Sequence, residues 1–102
     1  MSRACIAIDE RAVATICRAY GAARLSLFGS VLRNDFDPKR SDVDVLVEFL
    51  PGERKSLLKL LRMQRDLAEL IGRPVDLNTP GSLSKYFRDR VLATAEVLYD
   101  AA

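Results

Sequence analysis

Three aspartates in two short apolar segments have the types and spacing to bind a divalent cation. Asp42 and Asp44 stand at the start of an apolar run that continues to Phe49, and Asp76 lies inside a second short run. Residues i and i+2 of a strand share a face and lie about 6.5–7 Å apart, so Asp42 and Asp44 can lean onto one ion. Carboxylate oxygens are the ligands that Mg²⁺ prefers, and three of them beside a phosphate site are typical of metal-assisted phosphoryl chemistry.

The aspartates also have structural interpretations. Asp-X-Asp pairs often cap loops without binding a metal. Asp76 could instead pair with Arg24 or Arg73, because a carboxylate that is buried without a partner costs several kcal/mol. The residues alone leave these alternatives open.

Gly29-Ser30 follows the apolar run that ends at Phe28 and could form a phosphate site. A glycine lets the backbone approach a ligand closely. Ser30 would open a turn whose free N–H groups, together with its hydroxyl, could hold phosphate oxygens. The structural alternative is a tight turn that caps a helix.

The elements that must position these residues follow from the apolar periodicity and the turn residues. We predict helices over residues 9–20, 53–71 and 83–99, strands over 24–28, 43–49 and 74–78, a short helical turn to about 34 and a loop over 35–41. The predicted apolar stripe of the second helix is Leu57, Leu60, Leu61, Gln64, Leu67, Ala68, Leu70 and Ile71, and that of the last is Leu83, Tyr86, Phe87, Val91, Ala95 and Leu98 or Tyr99. This alternation predicts an α/β (α+β) fold with a small three-stranded mixed sheet packed by helices.

Length and composition limit the classes of function. With 102 residues, we expect a single domain over 1–102. The net charge of +2, from 16 basic and 14 acidic residues, is too small and too mixed to predict nucleic-acid binding. With two cysteines and no histidine, no zinc site is predicted, and we interpret Cys5 and Cys17 as reduced thiols. No apolar run suits a signal peptide or a membrane span, so we expect a cytoplasmic protein with no membrane partner.

The segment LFGSVLRNDFDPKRSDVDVLVEF, residues 27–49, resembles the fingerprint of nucleotidyltransferases of the DNA-polymerase-β type. It carries Gly29-Ser30 and then S-D-V-D at residues 41–44. More narrowly, the chain resembles the minimal nucleotidyltransferases, whose usual partner is a HEPN-domain toxin in a toxin–antitoxin pair. The later segment VDLNTPGSLSKYFRDRVLATAEVLY is similar to the closing part of that family. The resemblance implies the nucleotidyltransferase fold.

The resemblance also implies a role for each residue of the pattern. Gly29-Ser30 would bind the triphosphate of an incoming nucleotide, and Asp42 and Asp44 would bind two Mg²⁺ ions. Asp76 would complete the metal site and help to deprotonate an acceptor hydroxyl. Arg33 matches a basic position that could contact phosphate, and its alternative is a solvated surface arginine.

We therefore expect an Mg²⁺-dependent protein adenylyltransferase. It would act as an antitoxin that moves AMP from ATP to a hydroxyl, a tyrosine in the family pattern, of a HEPN-type ribonuclease toxin. One alternative is an antitoxin that neutralises its toxin by binding alone. Another is a nucleotidyltransferase for a small molecule, although such enzymes usually carry an additional helical domain for the acceptor.

Overall fold

The computed structural model describes residues 8–29, 42–53 and 56–101. The helices are α1 (Glu10–Tyr20), α2 (Leu57–Ile71) and α3 (Lys85–Thr94), with a short 3₁₀ turn at Pro80–Ser82. The strands are β1 (Ala22–Phe28), β2 (Val43–Phe49), β3 (Val75–Asn78) and β4 (Glu96–Asp100). The chain therefore alternates helices and strands, as the periodicity predicts.

The strands form one mixed sheet in the order β3-β2-β1-β4. β1 is antiparallel to both β2 and β4, whereas β2 and β3 are parallel. The register aligns Phe28 of β1 with Asp44 of β2, and Asp44 in turn with Asp76 of β3. These three residues form a row across the sheet, which we call the Phe28–Asp44–Asp76 row.

The prediction of three strands and a last helix to residue 99 is wrong. α3 ends at Thr94, Ala95 is extended, and the next residues form β4 along the edge of β1. Backbone hydrogen bonds to β1, in whose register Leu25 is the partner of Tyr99, outweigh the helix propensity of residues 96–100. The apolar spacing of this segment fits either structure over so few residues, so periodicity could not distinguish them.

The predicted start of α2 at residue 53 is also wrong. Ser56 is the N-cap, and its hydroxyl accepts a hydrogen bond from the Lys59 backbone N–H at 3.3 Å. The buried face of the helix is centred on Met63 and Leu67. Leu57 and Leu61, which were predicted to lie in the apolar stripe, are 72% and 49% exposed.

α1 has the caps that its sequence predicts. The Asp9 carboxylate accepts hydrogen bonds from the backbone N–H groups of Arg11 and Ala12 at 3.1 and 3.2 Å. Gly21 ends the helix with φ +76°, a conformation that favours glycine. The helix thus turns directly into β1.

The alternation of side chains along β2 divides the molecule into two apolar regions. The odd-numbered valines of β2 enter the main core between the sheet, α1 and α2. The main core contains Val13, Cys17, Ala22, Leu25, Leu27, Val43, Val45, Val47, Met63, Leu67, Val75 and Leu77. On the opposite face, Phe28 and Leu46 pack with Val91 of α3 in a smaller cluster. Asp44 lies on this second face, away from the main core.

Candidate functional site

Asp44 and Asp76 are partners in the parallel register of β2 and β3. Directly paired residues of neighbouring strands project to the same face, and the strands lie about 4.8 Å apart. The Asp44 side chain is half-buried, and Asp76 is exposed. The sheet therefore presents two carboxylates side by side on the face opposite the main core.

Asp42 directly precedes β2 and is exposed. The start of β2 is fixed to the start of β3 by a hydrogen bond from the Val43 backbone N–H to the Pro74 carbonyl, at 2.9 Å. Within the described residues, no three acidic, cysteine or histidine side chains converge into a group that could hold a metal. The backbone thus aligns Asp44 with Asp76 and brings Asp42 to the same end of the sheet, whereas the three side chains are not gathered.

Gly29 ends β1 against the Asp44 carboxylate. Its φ is +76°, and a Cβ at this position would lie 3.2 Å from Asp44 Cγ and would collide with Asp44 Oδ2. Only glycine permits this approach of the backbone without a shift of the carboxylate. Gly29 therefore lets the Asp44 carboxylate lie directly against the backbone that follows β1.

The other two residues predicted to bind phosphate, Ser30 and Arg33, lie outside the described residues. The predicted short helical turn and the loop over 35–41 lie outside them as well. The described part of the site thus comprises Gly29 and the three aspartates.

The argument that a buried Asp76 needs a partner was wrong, because the Asp76 side chain is exposed and has no free-energy cost of burial. Arg24, one of its proposed structural partners, lies instead between Glu48 and Asp100, at 3.7 and 3.5 Å. The alternative in which Arg24 holds Asp76 therefore fails.

An aromatic pair borders the acidic residues, and its position was not predicted. Phe28, whose side chain is 5% exposed, meets Phe87 of α3 edge to face, with ring centroids 6.2 Å apart and planes at 70°. Phe87 was expected in the buried stripe of the last helix but is 47% exposed. The sequence signal was its spacing of four residues from Val91, which places both on the sheet-facing side of α3.

Cys17 plays no part in the site. It is a free, buried thiol of the main core, and burial raises its pKa to about 11, an effect that Arg18 opposes in part. On α1 as well, the Tyr20 hydroxyl donates a hydrogen bond of 2.5 Å to Asp66 of α2, which raises the pKa of Tyr20. This hydrogen bond joins α1 to α2.

A separate cavity of about 430 Å³ lies toward the other end of β2, and the acidic residues do not line it. Its walls are Phe49, Ser56, Leu57, Leu60, Thr79, Pro80 and Gly81. Of the helices in the described ranges, none has the length and apolarity of a membrane span.

A comparison with protein families matches residues 10–98 to the nucleotidyltransferase domain. The chain belongs to this family and is a nucleotidyltransferase. It is 42% identical over 86 residues to a Methanocaldococcus jannaschii protein assigned as a protein adenylyltransferase, a match that covers 84% of this chain and 89% of the relative.

Solved structures with the same fold include minimal nucleotidyltransferases. One protein described in this way is 36% identical, with a TM-score of 0.70 over 84% of this chain and 85% of its own. A toxin–antitoxin structure with AMP-PNP has a TM-score of 0.73 at 20% identity and covers 92% of this chain and 75% of that one. The antitoxin bound to a tri-AMPylated HEPN toxin of Shewanella oneidensis has a TM-score of 0.64 at 20% identity, over 90% and 70%. At 20% identity, the last two structures show only that this chain shares their fold.

Proposed function

We propose that this nucleotidyltransferase is an Mg²⁺-dependent antitoxin that transfers AMP from ATP to a tyrosine hydroxyl of a HEPN-type ribonuclease toxin and so neutralises it. The observation that carries the proposal is the in-register pair Asp44 and Asp76 on the sheet face opposite the main core, beside Gly29. The protein adenylyltransferase relative supports the reaction, and the complex with an AMPylated HEPN toxin supports the acceptor.

The residue types at this end of the sheet suit a magnesium site, which would form when the three carboxylates turn toward one ion. Asp44 and Asp76 supply neighbouring carboxylates, Asp42 adds a third at the same end of β2, and hard oxygen donors of this kind suit Mg²⁺. The missing Cβ of Gly29 lets the Asp44 carboxylate lie directly against the backbone at the end of β1. Asp42 and Asp44 would hold two ions, with Asp76 completing the set. When bound, the ions would offset the negative charge of the phosphates and of the transition state.

The chain's own residues would position ATP and the acceptor. The corner at Gly29-Ser30 would hold the triphosphate through backbone N–H groups and the serine hydroxyl, with Arg33 on a phosphate oxygen. The acceptor hydroxyl would approach from the open side of Asp76, which is exposed and therefore within reach of a second protein.

The transfer is a substitution at the α-phosphorus. The acceptor oxygen forms a bond to the α-phosphorus, the bond from that phosphorus to the bridging oxygen breaks, and pyrophosphate leaves. The proton of the acceptor hydroxyl passes to the Asp76 carboxylate, which acts as the general base. The products are an AMP–tyrosine phosphodiester and pyrophosphate, so atoms and charges balance.

A protein acceptor is also consistent with the surface of α2. Leu57, Leu58 and Leu61, all near the start of this helix, are 72%, 58% and 49% exposed. Adjacent exposed leucines commonly mark a protein contact.

ATP is plentiful in the cytoplasm, and the reduced state of Cys17 agrees with that compartment.

The test uses purified protein, a candidate HEPN-type partner, Mg²⁺ and ATP labelled on either the α- or the γ-phosphate. The proposal predicts that label enters the partner from the α-phosphate and not from the γ-phosphate, and that Asp44→Asn abolishes the transfer. Label from the γ-phosphate would indicate a kinase, and no label from either would exclude adenylyl transfer to this partner.

Neutralisation by binding alone is the second candidate, and the exposed leucines of α2 favour it, since docking needs no catalysis. In that case, inhibition of the toxin would follow the stoichiometry of the complex and would be equally strong without ATP and Mg²⁺. Under the proposed mechanism, a small amount of enzyme with ATP inactivates a large excess of toxin.

A further inference from the structure

Asp76 is the outer end of the Phe28–Asp44–Asp76 row and lies on a strand that is short and at the edge of the sheet. β3 has four residues and ends the strand order β3-β2-β1-β4, so no strand of the described ranges pairs with its outer side. Backbone N–H and C=O groups on the outer side of such a strand lack a strand partner. The position of the Asp76 side chain therefore depends on what else holds β3.

Two side chains hold the peptide group between Asp76 and Leu77. Gln64 Oε1 accepts a hydrogen bond from the Leu77 backbone N–H at 2.9 Å. Asn78 Nδ2 donates a hydrogen bond to the Asp76 backbone carbonyl at 3.1 Å. The C=O and N–H of one trans peptide share a plane and point in opposite directions, so the two bonds hold this plane from both sides. The plane begins at the Asp76 Cα, and its orientation helps to set the direction of the Asp76 side chain.

Gln64 makes its bond from α2, on the opposite side of the sheet from the carboxylates. It is the one polar member of the apolar stripe predicted for this helix, and it follows Met63, which is fully buried in the main core. Leu77, whose amide it holds, directs its own side chain into the same core. Because successive residues of a strand face opposite sides, the bond that secures Leu77 also keeps Asp76 on the face that it shares with Asp44.

We propose that Gln64 is a positioning residue of the acidic site, which holds the Asp76–Leu77 peptide so that the Asp76 carboxylate stays beside that of Asp44. This role rests on the proposed function, in which Asp76 completes the metal site and accepts the proton. Gln64 acts through the backbone of β3 and not by contact with the nucleotide or the metal. Removing a hydrogen bond that orients a metal-binding residue commonly lowers metal affinity or activity about 10- to 100-fold.

The variants separate the hydrogen bond of Gln64 from the packing of its side chain. Gln64→Met has nearly the same length but lacks a strong acceptor, whereas Gln64→Glu keeps an oxygen at the same reach. Tyr20→Phe is the matched control, because it removes another half-buried hydrogen bond of α2, that to Asp66, which joins α2 to α1 and not to β3. Circular dichroism and urea unfolding check that each variant is folded.

The first measurement is the binding of Mn²⁺, as the probe for the Mg²⁺ site, to the full chain by electron paramagnetic resonance. We expect Gln64→Met to weaken Mn²⁺ binding about 10- to 100-fold and to speed hydrogen exchange of the Leu77 amide. Gln64→Glu should bind Mn²⁺ at least as tightly as the unmodified chain, and Tyr20→Phe should bind it equally. A folded Gln64→Met protein with faster exchange at Leu77 but unchanged Mn²⁺ affinity would overturn the proposed role.

The second measurement is a double-mutant cycle on the rate of AMP transfer to the HEPN-type partner at saturating ATP. Gln64→Met should slow transfer about 10- to 100-fold in the unmodified background, but it should not slow the residual rate of the Asp76→Asn protein any further. The same loss in both backgrounds would show that Gln64 supports the fold in general and would overturn its positioning role.

Failure of the proposed function gives a different result. The unmodified chain would then bind no Mn²⁺ and transfer no AMP, or Asp76→Asn would transfer AMP at the full rate, and both proposals would fall together. If the unmodified chain is active and Asp76→Asn is impaired while Gln64→Met retains full activity, only the role of Gln64 is wrong.

Discussion

Asp44 and Asp76 are register partners on the parallel strands β2 and β3, and they face away from the main core. The segment between them contains the whole of α2, which packs on the opposite face of the sheet. This crossover brings carboxylates that are 32 positions apart in the chain to neighbouring strands at one end of the sheet. The predictions below test what that pairing does.

Replacing Asp76 by Asn should reduce the rate of AMP transfer about 10²- to 10⁴-fold, since an amide cannot accept the acceptor's proton. The change removes an exposed charge, so thermal stability should stay nearly the same. Transfer rates at saturating ATP measure the effect. Glu48→Gln is the matched control, because Glu48 lies on β2 four residues from Asp44 in a half-buried ion pair with Arg24. Equal loss of activity in both variants would show that any acidic change on this sheet impairs the protein.

Gly29→Ala should abolish transfer and lower the free energy of unfolding by about 1–3 kcal/mol, because the new Cβ collides with the Asp44 carboxylate at a positive φ. Urea unfolding and the transfer assay measure the two effects. Gly72→Ala separates strain from collision. Gly72 has φ +78°, and a Cβ there meets no atom of the described residues within 4 Å. That control should lose about 1–2 kcal/mol and keep its activity. An active Gly29→Ala protein would show that the close approach is not needed.

Met63→Ala should destabilise the fold by about 2–5 kcal/mol, because its side chain is fully buried between α2 and the sheet. Leu57→Ala, at a predicted stripe position that is 72% exposed, should change the free energy of unfolding by less than about 0.5 kcal/mol. Chemical denaturation of the two variants distinguishes the observed face of α2 from the predicted stripe. A larger loss for Leu57 than for Met63 would mean that the helix is rotated.

The Cys17 thiol should make the folded state less stable as the pH rises from about 9 to about 11. Burial raises the folded pKa from 9.0 to about 11, so in this window the unfolded chain loses the thiol proton while the folded chain keeps it. The free energy of unfolding must then fall with pH, whereas below pH 9 the thiol adds no pH dependence.

Denaturation of the unmodified chain and of Cys17→Ala across this range isolates the effect. The raised pKa of Tyr20 lowers stability in the same direction above about pH 10, but it is common to both proteins and cancels in the difference. Parallel stability curves would contradict the assignment.

The sequence was sufficient for two features of the fold that are local. The alternation in residues 43–47 correctly assigns the valines to the core, and the capping residues of α1 are where the pattern predicts them. The β2–β3 register is not local, because it depends on how α2 packs and on the hydrogen bond between Val43 and Pro74. Sequence reasoning could propose that Asp76 approaches Asp44, but it could not derive the alignment.

The errors arose where tertiary contacts decide the structure. β4 forms because its backbone hydrogen-bonds to the edge of β1. The sequence of residues 96–100 contains no signal for that edge. α2 begins at Leu57 because the Ser56 side chain caps its N-terminus through a single hydrogen bond. Hydrophobic periodicity does not detect such a cap. Phe87 fits a buried stripe by spacing, yet only the arrangement of α3 over Phe28 shows that its ring is half open.

The most direct test of AMP transfer is the intact mass of the HEPN partner after co-expression with this protein. The account predicts a partner heavier by one or more adenylyl groups, with tandem mass spectrometry placing them on tyrosine, and an unmodified mass when Asp44→Asn is co-expressed. A partner that is neutralised at its unmodified mass, or one that is modified equally by Asp44→Asn, would contradict it.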